Sequence, residues 1–205
     1  MLLLEGSRSA SRQTWLAGMS FVLACLCTGC LQTNLTQPPR SAVEQLLLST
    51  AADRAVRTVS LSSFDQERVF VETNYFASYD PQYALGAIRD ALSSAGALLV
   101  DSETNADIVI EARSGSLSID STSSLIGIPK TGLPIPFTGT LPIPEIALFK
   151  SDKQFSTAKF ALLAYSTHDR EHYFSTGSMV GRAHIKYYKF LGFISYTSTD
   201  IPEKR

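Results

Sequence analysis

Residues 80–112 read DPQYALGAIRDALSSAGALLVDSETNADIVIEA, and the change of period inside this stretch decides the fold. Asp80 is a good N-cap and Pro81 a good first helical residue. Ala84, Ile88, Ala91, Leu92 and Ala95 then form an apolar stripe at helical spacing that stops at Gly96. After the glycine the pattern shortens. Ala97–Val100 and Ile108–Ala112 are apolar runs of strand length, parted by a polar turn containing Asn105 and Asp107.

Upstream, Ser41-Ala42-Val43-Glu44 reads as a capping box, and Leu48, Ala52, Ala55, Val56 and Val59 recur at helical spacing, predicting a helix from Ala42 to about Arg57. Val59 and Leu61 alternate with polar neighbours as a strand would, and Arg68–Glu72 predicts a second strand. Downstream, regularity is lost. Residues 114–124 are rich in Ser, Gly and Thr, and residues 125–149 are apolar and rich in Pro and Gly, so together they read as a long insertion. Strand signals return over Thr157–Ser166, turn through Thr167–Glu171 into Tyr173 and Phe174, and recur over Ala183–Phe190 and Phe193–Thr197. This order predicts an α/β (α+β) fold: one mixed β-sheet with two main helices packed on it, plus a long Pro-rich insertion.

The chain has 205 residues, with 18 basic and 19 acidic side chains. That length suits a single domain with a sizeable core, and the near-neutral balance offers no broad surface to nucleic acid. Its three cysteines, Cys25, Cys27 and Cys30, all lie near the amino terminus, so the domain that follows has no disulfide of its own.

Arg8 and Arg12 precede an apolar run from Trp15 to Leu26, too short to span a bilayer but suited to a signal-peptide core. The run ends in Leu26-Cys27-Thr28-Gly29-Cys30, which resembles the lipobox of bacterial lipoproteins, although Cys27 stands where leucine is usual. The resemblance implies cleavage before Cys30, diacylation of its thiol and acylation of the new amino terminus. The expected organisation is then residues 1–29 as signal, residues 30–40 as a lipidated tether ending in Pro38 and Pro39, and residues 41–205 as one periplasmic domain, with the Pro-rich insertion at about 125–149. Leu31 follows the cysteine in place of the aspartate that retains lipoproteins in the inner membrane, so the resemblance implies the outer membrane, facing the periplasm.

Four segments carry a wider resemblance: Glu44–Ser49, Gly96–Asp101, Ala106–Gly115 and Pro142–Leu148. In these the chain resembles an uncharacterised family of small bacterial lipoproteins, a domain of unknown function. More distantly, the order of helix, Gly-Ala-Leu-Leu-Val strand and Ala-Asp-Ile-Val-Ile-Glu strand is similar to the periplasmic domain of the curli secretion-channel lipoprotein. That likeness implies a fold and carries no activity.

No catalytic constellation emerges. There is no Gly-x-Ser-x-Gly elbow, and Gly127-Ile128-Pro129-Lys130-Thr131 lacks the Walker spacing. His168-Asp169-Arg170-Glu171-His172 has the four-residue histidine spacing of a helical zinc site but lies between strands, where residues four apart are separated by about 13 Å. It reads as a solvated hairpin turn, with a hydrolase or metal-binding protein as the alternative function. Lys186-Tyr187-Tyr188-Lys189-Phe190 mixes cations and aromatics, and the alternation of Ala183, Ile185 and Tyr187 reads as a strand with one buried face.

The least ordinary segment holds Leu133-Pro134-Ile135-Pro136 and its near repeat Leu141-Pro142-Ile143-Pro144. Prolines two apart forbid a helix or a central strand, so these arms are extended and their apolar side chains need a cover: the domain's own sheet, the bilayer or another protein. Leu133, Ile135, Phe137, Leu141 and Ile143 are the candidate interface. The expected protein is a non-enzymatic envelope component for assembly, transport or scaffolding. It needs no cofactor or metal, is held to the membrane through Cys30, and contacts an envelope protein or another copy of itself.

Overall fold

The computed structural model of the chain describes residues 39–135 and 139–201. Helix α1, Ala42–Val56, starts on a complete capping box. The Glu44 amide donates to Ser41 Oγ at 3.3 Å, and the Ser41 amide donates to Glu44 Oε2 at 2.8 Å, so each end of the box satisfies a donor the helix cannot. Helix α2, Pro81–Ser94, begins with proline at its first position, but Asp80 makes no side-chain cap. Its carboxylate instead pairs with the Arg40 guanidinium, which ties the chain before α1 to the start of α2. Past α2, Gly96 takes φ +96°, and a Cβ there would stand 2.0 Å from Asp65 Oδ1.

The fold is α+β. The strands are β1 Arg68–Glu72, β2 Leu98–Leu99, β3 Ile108–Ile128, β4 Thr131–Ile135, β5 Gly139–Ile143, β6 Ile146–Ser166, β7 His172–Ser175, β8 Met179–Phe190 and β9 Ile194–Thr199. They form a seven-stranded sheet in the order β2-β1-β3-β6-β8-β9, with β7 on β6, and a separate two-stranded ribbon of β4 and β5. β1 runs parallel to β2 and β3, and the other pairs are antiparallel.

Two expectations are corrected. Residues 59–61 form no strand: Leu61 is buried and a 3-10 turn over Ser62–Phe64 follows, placing Phe64 wholly inside the core. The apolar alternation there reflects burial under a loop, which period alone does not separate from a strand. Regularity is also not lost after Gly115. β3 and β6 are continuous strands of 21 residues each, paired almost end to end, and the Ser- and Thr-rich stretch is about half of β3.

Both helices lie on one face of the sheet. On β6 this face is Ser156, Ala158, Phe160, Leu162 and Ala164, all buried. On β3 it begins as Ile108, Ile110 and Ala112 and continues as Leu117 and Ile119. That change from even to odd numbers is made by a bulge: Ser114 pairs with Phe160 and Ser116 with Lys159, leaving Gly115 as the extra residue. Without it, Leu117 and Ile119 would point away from the core.

α1 seats deeply because both partners are small. Its inward residues Leu47, Ala51 and Ala55 are fully buried, and Gly181 of β8 lies directly beneath them. A Cβ on Gly181 would come within 2.0 Å of the Ala51 carbonyl oxygen and 2.4 Å of the Ala55 nitrogen, both backbone atoms that cannot swing aside. The buried Ser156 hydroxyl donates to the Leu47 carbonyl at 2.7 Å, adding a polar tie between helix and sheet.

This contact sets a pair of opposite outcomes for one substitution type. Gly181→Ala is expected to force α1 off the sheet, costing about 1–3 kcal/mol as overpacking does. Gly86→Ala, in the exposed middle of α2 with nothing within 4 Å of the added methyl, is expected to stabilise by about 0.5–1 kcal/mol. Chemical unfolding of the two variants checks both signs.

Candidate interaction surface

The fifteen residues of α1 cover about 22 Å, while the 21 residues of β3 or β6 span roughly 70 Å. Much of the β3–β6 ribbon therefore runs past its helical cover. Helical packing on the sheet ends near the row of Ile119, Ser156 and Ala183, with Val43 and Leu47 of α1 against it. Beyond that row, among the described residues, no helix lies on either face.

On the face away from the helices, register brings distant residues into rows. Ile126 pairs with Phe149, Phe149 with Phe190, and Phe190 with Ile194, giving an apolar row across β3, β6, β8 and β9. Ile126 is 62% exposed, Phe190 42% and Ile194 51%. The next row adds Tyr188 opposite Tyr196. The rings form a connected set: Phe149 to Phe190 at 5.1 Å, Phe149 to Tyr188 at 6.4 Å and Tyr188 to Tyr196 at 6.3 Å between centroids. Phe193 and Leu191, in the turn between β8 and β9, are also exposed. One row further in, the Lys186 ammonium stands 5.5 Å from the Phe155 ring centroid.

At the far end, β4 and β5 pair Leu133 with Leu141, Thr131 with Ile143 and Ile135 with Gly139. The pleat therefore sets Leu133, Ile135, Leu141 and Ile143 on one face, and Gly132, Pro134, Thr140 and Pro142 on the other. Leu133, Ile135 and Leu141 are exposed and Ile143 is half-buried. The structure thus groups four of the five candidate interface residues, while Phe137 lies outside the described residues, as does Cys30. Between the hairpin and the aromatic rows stand Ile128 and Ile146, paired with each other and both exposed.

The aromatic rows were not legible as a site in the sequence. The alternation of Ala183, Ile185 and Tyr187 predicts one buried face, and Ala183 and Ile185 do face α1, but Tyr187 lies past the helix and is exposed. Tyr188 and Phe190, on the opposite face, are the informative members of that motif. On the helix-side face at this level, Glu145, Lys150, Asp152, Tyr187 and Lys189 line a polar cleft of about 270 Å³, with Lys150 Nζ 3.1 Å from both Glu145 carboxylate oxygens.

His168 lies in the hairpin turn joining β6 to β7, and His172 opens β7; both are exposed. The turn is held by Thr167 Oγ1 donating to the Ala106 carbonyl at 2.9 Å and by Arg170 paired with Glu103 at 3.3 Å. Among the described residues, no group of three or more His, Cys, Asp or Glu is placed to hold a metal ion. A cleft of about 550 Å³ between the helices is lined by Asp53, Arg57, Tyr83 and Asp90 with apolar neighbours, and has no serine, cysteine, histidine or lysine in its wall. There the Tyr83 hydroxyl donates to the Asp53 carboxylate at 3.2 Å, and burial, then Asp53, pushes its pKa up. Among the described residues no helix is long and apolar enough to cross a membrane.

Residues 24–202 match the model of a family of unknown function, DUF6655, and the chain belongs to that family. No curated protein matches the sequence.

The β8–β9 pair that carries the aromatic rows is latched to α1 at its inner end. Arg54 Nη1 donates to Asp200 Oδ2 at 2.6 Å and to the Arg182 carbonyl at 2.5 Å, while the His184 amide donates to Asp200 Oδ1 at 2.7 Å. Burial alone raises the Asp200 pKa, but the His184 amide and the Arg54 guanidinium outweigh it and hold the group below the usual aspartate value. A depressed folded pKa adds stability that is present above the unfolded value of about 3.9 and is lost as pH falls through the folded one. Asp200→Asn is therefore expected to lower the thermal midpoint at pH 7, with the gap to the unmodified protein closing below about pH 4. Thermal unfolding across that range checks it, and a gap that widens in acid contradicts the latch.

Proposed function

We propose that this chain is a lipid-anchored, non-enzymatic protein of the bacterial envelope that works by contact, using the hairpin of β4 and β5 and the aromatic rows behind it. The observation that carries the reading is the row Ile126, Phe149, Phe190 and Ile194, continued by Ile128 and Ile146 toward the aliphatic hairpin face. Scattered exposed apolar residues are ordinary, but a contiguous set this long marks an interaction surface.

Anchoring at Cys30 supports the same reading. The lipobox-like Leu26–Cys30 segment ends nine residues before Pro39, where the described domain begins, which suits a short tether. Leu31 in place of an aspartate favours the outer membrane, with the domain in the periplasm. Envelope assembly, transport or scaffolding are the roles that such a surface serves.

Two measurements in cells expressing the full chain test it. Radioactive fatty acid is expected to label the unmodified protein and not Cys30→Ser. A photo-crosslinking residue in place of Phe190 is expected to give adducts well above those from the same residue in place of Gln82, on the outer side of α2. Equal yields at the two positions would sink the assignment of the surface.

A further inference from the structure

We infer that the β4–β5 hairpin lies on the lipid surface itself, with the Leu133, Ile135, Leu141 and Ile143 face at the boundary of headgroups and acyl chains. This rests on the reading of Cys30 as a lipid anchor.

The chemistry of the ribbon is graded along its length. Outermost come branched aliphatics and prolines, with Lys130 as the one charge between residues 126 and 144. Next come the rings of Phe149, Tyr188, Phe190, Phe193 and Tyr196. At the level of the rings, residues 122–128, 145–153 and 186–198 together hold four lysines against two carboxylates, Glu145 and Asp152, a local excess of two positive charges on a chain of net charge −1. Aliphatic, then aromatic and cationic, then polar is the order met on leaving an anionic bilayer. A protein-binding patch has a different plan, an apolar centre ringed by polar residues.

The hairpin backbone fits that position. Pro134 stands opposite Thr140 and Pro142 opposite Gly132, pairs two apart in the register and hence of one kind. Proline has no N–H for the ladder, so this kind is the one whose backbone groups point out of the ribbon. Two outward N–H groups are thus absent where an apolar medium would penalise them, while the outward carbonyls restrict the hairpin to the boundary zone, roughly 5–10 Å deep.

Reach also fits. Val43, in the first turn of α1, packs level with Ile119, so the chain enters the domain on the side toward the ribbon. From Ile119 to Ile135 the ribbon's contour is roughly 53 Å. Residues 31–40, fully extended, reach at most about 36 Å. The hairpin therefore outreaches the tether, and a domain held at Cys30 with its ribbon toward the membrane brings the hairpin to the lipid.

The test uses the purified lipidated protein beginning at Cys30, from which the chain's one tryptophan, Trp15, has been removed with the signal, carrying Leu141→Trp, Leu133→Trp or Gln82→Trp, with vesicles of phosphatidylethanolamine and phosphatidylglycerol whose acyl chains are brominated near the headgroup. Emission from Leu141→Trp and Leu133→Trp is expected to shift to the blue and to fall to roughly half of its value in unbrominated vesicles, with Gln82→Trp unchanged. The second hairpin variant guards against a single substitution that perturbs the turn. Flotation of the Gln82→Trp protein reports the anchor separately. Flotation with no bromine quenching at either hairpin position overturns the inference and leaves the anchor standing; no flotation and no quenching overturns both. A blue shift that appears without vesicles and grows with protein concentration overturns it in favour of a second copy as the occupant.

Discussion

The closeness of α1 to β8 is the constraint from which the rest of the structure follows. Gly181 gives up its side chain so that a helix faced with Leu47, Ala51 and Ala55 can lie almost against the strand backbone. Small residues bury little area each, so the core gains mainly from what closes around this seam: Phe64, Ile88, Leu92, Phe160 and Leu162, each worth about 1.5–3 kcal/mol when fully buried. Because the seam is made by one helix of four turns, it fixes how far along the sheet a dry interior extends.

The proposed interaction surface is the complement of that limit. β3 and β6 continue past α1 as a ribbon held by its own ladder and by pairing with β8 and β9, with no described helix on either face. In the core, sheet alternation puts large apolar groups inward; in the ribbon, the same alternation displays them. One secondary structure thus serves two purposes along its length, and the point of change is marked by where helical cover stops, near Ile119 and Ala183.

Sequence legibility divides at the same place. Where one face is buried, the code is local: the capping box at Ser41 and Glu44, the proline start of α2, the glycine at its end and the short apolar strands at Val69 and Ile108 are readable residue by residue. Where neither face is buried, nothing selects for alternation, and Ser118–Ser124 shows no period although it is regular strand. Its partner, not its own composition, makes it a strand. The aromatic rows are harder still, because Ile126, Phe149, Phe190 and Ile194 are assembled by register across four strands and adjacent in none. The four aliphatics of the hairpin face could be named in advance because their turn keeps them close in sequence as well as in space. Asp80 shows the reverse failure: a good capping residue was spent on Arg40 instead.

The bulge at Gly115 has a bearing on how such a ribbon can change over time. From there to a second bulge, at Leu148 of β6, every residue inherits its facing from that single added residue, so parity is fixed along this part of the ribbon. Losing or gaining one residue between Gly115 and the hairpin would exchange the two sides of β3 against its partner. Adding two residues to β3 and two to β6 would lengthen the arm and leave every facing intact. Relatives of this chain can therefore differ in ribbon length in matched steps of two on each strand, and the height at which the hairpin stands above the domain becomes an adjustable dimension, set independently of the core.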